Sequence, residues 1–385
     1  MMYPRLSIIL FMPALALFPL AKSKILQSPS TGSYYLLCGT YTHGTSKGIQ
    51  EYLFTPGTAK LTFVRTIPLS NPSYLCFTKS QQNVYAVSED EKTEGTVTAF
   101  SFDGRTGALK VLGKRPSGGV SPCYVSISDD NRTLFVANYS SGTVSGYRLA
   151  PGGGFDNSAS TVIRDKGSGP NKERQESAHA HSAVISPEQT FLFTADLGTD
   201  KEMIYAIDRH KGSRLLNPAP TPFVKLVPGS GPRHFIFHPN GLYAYLIQEL
   251  NATVTAFKYR DGKLDSIQTI KLEPANFGGK LGAADIHLSP DGRFLYASNR
   301  GDANDLSIFS VAVDGTLNFL DRIPCGGKTP RNFTLDPTGN FLLVANQDSD
   351  NVVVFKRDPA TGMLGKPLFS LPVSQPVCLK FAQKL

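Results

Sequence analysis

The sequence contains no tryptophan, which sets aside repeats of the Trp-Asp type. It has five cysteines, Cys38, Cys76, Cys123, Cys325 and Cys378, widely spaced and without a CxxC pair. An odd, scattered set is not a disulfide framework, and thiols of this kind read as small buried hydrophobes. Charged residues make up only 18% of the 385 positions. The formal net charge is +8, yet Lys and Arg are dispersed, with no basic run of five or more. That pattern sets nucleic acid aside as a partner and favours anionic small molecules. Beyond the N-terminus no apolar run approaches the length of a membrane span.

Turn-formers are plentiful instead: 35 glycines and 27 prolines, enough for many short strands and reversals. The N-terminus has its own pattern. Arg5 precedes an apolar stretch over 6–21, interrupted by Ser7, Pro13 and Pro19, and Ala21-Lys22-Ser23 offers small residues for cleavage. The stretch reads as a signal peptide, 1–23, followed by a short lead, 24–33. An uncleaved anchor is the alternative. With the signal removed, the protein is expected outside the cytoplasm with no membrane span.

The remainder is organised by a repeat. Residues 231–249, GPRHFIFHPNGLYAYLIQE, read as two strands joined by a turn at Pro239-Asn240-Gly241. Versions of this hairpin begin at 72, 122, 180, 232, 283, 330 and 376, spaced by 46 to 58 residues. An alternating third strand follows, as in TVTAFSF, TVTAFKY and NVVVFKR, and then a fourth, as in KLDSIQTI and TLNFLDRI. Four strands per unit of about 50 residues predict an all-β, seven-bladed β-propeller. The seventh start supplies one strand only. YYLLC (34–38), GIQEYLF and LTFVRTI complete it from the N-terminal side. One domain, 34–385, is therefore expected, its last blade closed by N- and C-terminal strands, which leaves no open edge. Closure brings Cys38 near Cys378 on neighbouring strands, as a disulfide or as two free buried thiols. The Gly/Ser/Asp-rich stretch 151–171 reads as a surface loop, a rim over the channel mouth.

Aligned repeats turn the sequence into columns. The first strands begin with Ser73, Cys123, His181, Arg233, Ala284, Arg331 and Val377. The second strands end with Glu89, Tyr139, Leu197, Glu249, Arg300 and Gln347, with Thr40 as the N-terminal counterpart, and Asn299 is in the position before. One hairpin end thus gathers His181, Arg233, Glu249, Arg300 and Arg331. Guanidinium forks suit carboxylate or phosphate, so the set reads as an anion pocket with one carboxylate. A ring of ion pairs binding the blades together is the bland alternative. His179-Ala180-His181 would point both rings to one face. A metal site there would need further ligands that the sequence does not offer, so one histidine as acid/base is preferred. Asp196 and Asp200, in DLGTD, cap a turn or orient a histidine, the turn being preferred. His234, His238 and His287 read as core or turn residues.

GTYT (39–42), AHAHS (178–182), GPRH (231–234), SPDGRFLYASNR (289–300) and TPRNFTLDPTGNFLLVANQ (329–347) carry a resemblance. The chain, from about Tyr34 onward, resembles the seven-bladed lactonase family, which includes a bacterial type of 6-phosphogluconolactonase and the carboxymuconate lactonizing enzyme. The resemblance implies a metal-independent lactone hydrolase with no cofactor. It implies a catalytic set at His181, Arg233, Glu249 and Arg300, with Glu249 or His181 handling the proton and arginines binding the anion. His179, Arg331, Asn299 and Gln347 are expected to contact the substrate, an anionic lactone, and the chain is expected to act as a monomer. The alternatives are a secreted binding propeller without turnover and a cyclising enzyme of the muconate type.

Overall fold

The computed structural model describes residues 32–210 and 212–385. The expected signal peptide and most of the lead segment lie outside them. The described chain forms seven antiparallel four-stranded sheets. Six are consecutive in sequence, spanning 75–120, 122–164, 184–225, 232–271, 283–324 and 330–372. The seventh is ordered Pro376–Gln383, Tyr34–Thr40, Gly48–Thr55 and Lys60–Pro68, so both ends of the chain close the ring as the repeat predicts.

The fourth blade shows why these residues form these strands. Pro232–Phe237 and Tyr243–Gln248 are joined through Gly241, whose φ of 70° suits glycine. Asn240 Oδ1 accepts the Leu242 N–H at 2.9 Å to hold the turn. Tyr243–Gln248 is apolar along nearly its whole length, without alternation, because neighbouring blades cover both of its faces. The outermost strand, Lys263–Lys271, carries polar residues toward solvent.

Blades adhere through their faces. Phe193 of the third blade stacks on Phe235 of the fourth at 5.2 Å, both fully buried; burying each such ring contributes about 1.5–3 kcal/mol. A recurring latch accompanies the packing. Tyr35, Tyr85, Tyr245 and Tyr296 each donate a hydroxyl to a turn carbonyl of the following blade: Arg105, Gly153, Gly315 and Gly362, at 3.1, 2.8, 3.0 and 2.6 Å.

In the closing blade Gly39 pairs with Cys378, and Cys38 with Leu379. This one-residue offset sends the two cysteines to opposite faces of the sheet. Cys38 packs with Leu36 and Val352, Cys378 with Leu75 and Val87. Both are free thiols, so of the two states left open by the sequence it is the unpaired one that is found.

The innermost strands share one more feature. Asn71, Ser121, Gly231, Thr329 and Gln375 have positive φ, and each precedes a proline. After the proline comes a residue left out of the pairing register. Pro232 pairs with Gln248 and His234 with Ile247, so Arg233 is extra. Cys123, Arg331 and Val377 are extra in the same way. A bulge of this kind re-aims a side chain, and here it turns the extra residue toward the channel mouth.

Removing 375–385 deletes the closing strand and leaves Tyr34–Thr40 unpaired on that side. The truncated protein is expected to aggregate or to lose its cooperative melting transition, as size-exclusion chromatography and thermal circular dichroism would show.

Candidate active site

At one mouth of the channel a cavity of about 470 Å³ opens. Two rings of residues build it. The inner ring is made by the bulged positions Cys123, Arg233 and Arg331 together with His181, which follows the isolated bridge between Ala180 and Asp196. The outer ring is made by the residues that follow the second strands. Their backbone N–H groups bond back to the left-handed residue of the same blade: Glu89 to Asn71 O at 3.0 Å, Tyr139 to Ser121 O at 2.8 Å, Glu249 to Gly231 O at 2.7 Å. By the same bond, Tyr41 N to Gln375 O at 3.0 Å, the counterpart in the closing blade is Tyr41. This corrects the assignment of Thr40, which is buried and bonds to Ser46 and Gly48. The slip arises because this second strand, Tyr34–Thr40, has seven residues where its counterparts in the other blades have six.

Glu249 is the centre of one side. Its Oε2 accepts from Arg233 Nη1 at 2.6 Å and is ion-paired with Arg300 Nη2 at 3.0 Å, and its Oε1 accepts from Arg174 Nη2 at 2.6 Å. Arg233 and Arg300 are themselves held from behind, Arg233 Nε on Ala284 O at 2.9 Å and Arg300 Nε on Gly282 O at 2.8 Å. Burial alone would raise the Glu249 carboxyl, but Arg300, Arg233 and Arg174 hold it well below the usual carboxylate range. Burial pulls Arg300 down to about 10, so it stays charged at neutral pH. Three guanidiniums around one carboxylate leave an excess of two positive charges.

His181 sits beside them. Arg233 Nη1 donates to His181 Nε2, which places the ring proton on Nδ1, 3.7 Å from Cys123 Sγ. Burial, reinforced by Arg233, keeps this imidazole well below its ordinary value and therefore neutral. Burial also raises the Cys123 thiol far above its ordinary value, so it is no nucleophile at neutral pH.

The facing side carries Tyr41, Glu89 and Arg331. The Arg331 guanidinium lies 5.4 Å from the Tyr41 ring centroid, a cation–π contact. Unlike the other pocket arginines it forms no ion pair among the described residues. Tyr41 Oη donates to Glu89 Oε2 at 3.1 Å. The pocket therefore holds a second buried carboxylate, Glu89, and the exposed Glu91 at its rim, where the columns led us to expect one acid.

Of the expected residues, His181, Arg233, Glu249, Arg300 and Arg331 line this cavity together. His179 does not: it stacks behind Tyr139 at 4.5 Å, with Nδ1 near Tyr139 O and Nε2 near Glu176 Oε1, each at 3.1 Å. Its ring shares no ligand position with His181. Asn299 is buried between blades, donating to Glu273 Oε1 at 2.8 Å and accepting from Gly282 N at 3.1 Å. Gln347 holds the ring position after Asn346, but outside the cavity wall. Asp196 and Asp200 serve turns. Asp196 accepts from His179 N at 2.7 Å and Gly198 N at 3.0 Å, Asp200 from Gly229 N at 2.7 Å and Gly231 N at 2.8 Å.

Arg174 was not anticipated. It follows the 151–171 insertion and reaches Glu249 because its neighbour Gln175 is fully buried and nailed to Leu197 O and Asp200 Oδ1, each at 2.8 Å. The available signal was the rim reading of that insertion, which stopped three residues short. Below the pocket, Asp285 joins His234 Nδ1 at 2.7 Å and His287 Nε2 at 2.9 Å. Tyr74 and Tyr124, stacked at 4.2 Å, close the channel with them. Among the described residues no group of three or more His, Cys, Asp or Glu is arranged to hold a metal ion.

Fold and site together define a propeller with an arginine-rich, carboxylate-centred pocket at one channel mouth. A family model described as "Lactonase, 7-bladed beta-propeller" matches residues 35–381, and the chain belongs to that family. It is 35% identical to 6-phosphogluconolactonase of Bacillus subtilis, over 90% of this chain and 98% of that one. A structure described as the periplasmic gluconolactonase PpgL of Pseudomonas aeruginosa is 40% identical, with a TM-score of 0.87 over 92% of this chain and all of that one. A putative 6-phosphogluconolactonase of Bacteroides fragilis is 39% identical, with a TM-score of 0.86 over 92% of this chain and 99% of that one.

Glu249→Gln leaves three guanidiniums facing each other without their counter-charge. A loss of about 3–5 kcal/mol at pH 7 is expected, since breaking a buried pair strands its partners. A carboxyl depressed in the folded state stabilises above its ordinary value of 4.5 and loses that contribution as pH falls below it. Chemical denaturation from pH 7 to pH 3 should therefore fall off less steeply for the variant than for the parent, whose remaining acid sensitivity includes the likewise depressed Asp285.

Proposed function

We propose that the protein hydrolyses a sugar-acid lactone, and that its arginines bind the substrate and stabilise the oxyanion formed when water adds to the carbonyl. The observation that carries this reading is the surplus of guanidinium charge in the pocket, above all Arg331, which has no ion-pair partner among the described residues. Fixed positive charge in a recessed site favours a transition state in which the carbonyl oxygen becomes negative. The family and the named activities of the 35–40% identical relatives supply the reaction class.

Glu249 and His181 were the expected proton carriers, and their surroundings favour other roles. Both oxygens of Glu249 are occupied by guanidiniums, so it is a positioning group for Arg174, Arg233 and Arg300. The Nε2 lone pair of His181 is taken by Arg233, so it helps to fix that arginine. Ring opening is preferred over the cyclising direction because the relatives are named for opening lactones. Export is part of the proposal, supported by the apolar stretch after Arg5 and by the periplasmic description of the 40% identical relative.

Purified protein should accelerate the opening of gluconolactone, 6-phosphogluconolactone or both over the spontaneous rate, followed by proton release in weak buffer. Arg331→Ala should lower kcat/KM by about 10²-fold, the scale of losing one oxyanion donor, with Arg331→Lys between the two. A protein that leaves every lactone of a panel at its background rate would overturn the reading and leave a binding propeller in its place.

A further inference from the structure

We propose that Glu89 is the general base that activates the attacking water, an assignment that rests on the lactone-opening reading above. A general base needs an unengaged lone pair that faces the substrate. Glu249 offers none, and neither does Nε2 of His181. Glu91 is exposed at the rim. Glu89 lines the cavity at 8% exposure, so its carboxylate meets the pocket rather than bulk solvent. Oε2 accepts from Tyr41 Oη at 3.1 Å, while Oε1 has no hydrogen-bond donor among the described residues.

The carboxylate is also well placed. Its backbone is clamped twice by Asn71, whose carbonyl accepts Glu89 N–H at 3.0 Å and whose Nδ2 donates to Glu89 O at 3.1 Å. Glu89 occupies in the first blade the position that Glu249 occupies in the fourth. Three steps around a ring of seven set the two acids across the mouth from each other. Arg331 contacts Tyr41, and Tyr41 contacts Glu89. Arg331 thus stands beyond the Tyr41 ring and forms no ion pair with Glu89 among the described residues, which leaves Oε1 its lone pairs.

In the reaction Glu89 takes a proton from water as the water oxygen bonds to the lactone carbonyl carbon. The carbonyl π pair moves to oxygen, which the guanidiniums stabilise. When the tetrahedral adduct collapses, the ring C–O bond breaks and the leaving alkoxide receives the proton held by Glu89. The carboxylic acid so formed loses its own proton to solvent, and the enzyme returns to its starting state.

The test is the pH dependence of kcat for the full chain on gluconolactone and 6-phosphogluconolactone. The charged and titratable groups around Glu89 are Tyr41, Arg331, Cys123, His43, which stacks on Tyr41 and lies 3.3 Å from Asn71 Nδ2, and, on its own loop, Asp90, Glu91 and Lys92. Wild-type protein should lose activity on the acid side as one group protonates. Glu89→Gln should lower kcat by about 10²–10⁴-fold, with little change in KM and no acid limb in the residual rate. Tyr41→Phe removes a donor that favours the ionised carboxylate, so its acid limb should move to higher pH. Tyr41→Phe and Glu89→Asp carry the test if Glu89→Gln fails to melt cooperatively. Active wild type with an unimpaired Glu89→Gln, or an unmoved limb in Tyr41→Phe, overturns the assignment alone. Wild type without activity on any lactone overturns the reading beneath it as well.

Discussion

One extra residue at the head of an innermost strand is the constraint on which the site depends. A β-strand alternates its side chains, so an unbroken inner strand would send neighbouring residues to opposite faces. The left-handed residue, the proline and the bulge that follow one another in several blades break that alternation at a single point. Arg233 and His234 are consecutive, yet Arg233 reaches Glu249 while His234 reaches Asp285 deeper in the channel. The proline suits the step because it cannot donate a ladder hydrogen bond and fixes its own φ. The carbonyl of the left-handed residue then anchors the outer ring through the N–H of Glu89, Tyr139 or Glu249. One backbone device therefore positions residues of both rings in the blades of Glu89, Tyr139 and Glu249.

On that frame, charge is distributed unevenly. Three arginines on one carboxylate form a rigid assembly, and rigidity matters more here than net attraction. A buried ion pair gains little over an apolar pair once desolvation is counted, but it fixes the direction of every donor involved. Arg233 illustrates this, since its Nε is spent on Ala284 O and its Nη1 on His181 and Glu249. Donors fixed before the substrate arrives need no reorganisation during reaction. Arg331, held by an aromatic ring and in no ion pair among the described residues, supplies charge without prior commitment.

The repeat made most of the fold legible in the sequence, because each blade restates the same hairpin and the closure follows from counting strands at both ends. The columns located Arg233, Glu249, Arg300, Arg331 and His181, because position in a repeat determines position around a mouth. What escaped lies where the repeat is interrupted. Arg174 follows the insertion, in a segment outside the repeated hairpins. The Tyr41 position was displaced by one because Tyr34–Thr40 is one residue longer than the second strands of the other blades. Cys38 and Cys378 are neighbours by strand but not by face, a distinction only register decides. Asn299 stands one residue before the ring, and that single step turns its amide into the blade interface toward Glu273. Glu89 stood in the right column throughout; it lacked nearby arginines in its own repeat to draw notice.

That lack of arginines is what separates the two glutamates. Glu89 and Glu249 share a position in the repeat, a backbone hydrogen bond and a place on the rim, so their local geometry is the same. Their chemistry diverges through what the neighbouring blades and the insertion bring: two arginines and Arg174 around Glu249, one phenol on Glu89. Two carboxylates of one site whose hydrogen-bond partners differ in this way take different tasks. The same argument explains how a repetitive scaffold acquires an asymmetric site. Symmetry delivers equivalent side chains to one mouth, and departures from symmetry, above all Arg174 just past the insertion, decide which of them binds charge and which remains free to move a proton.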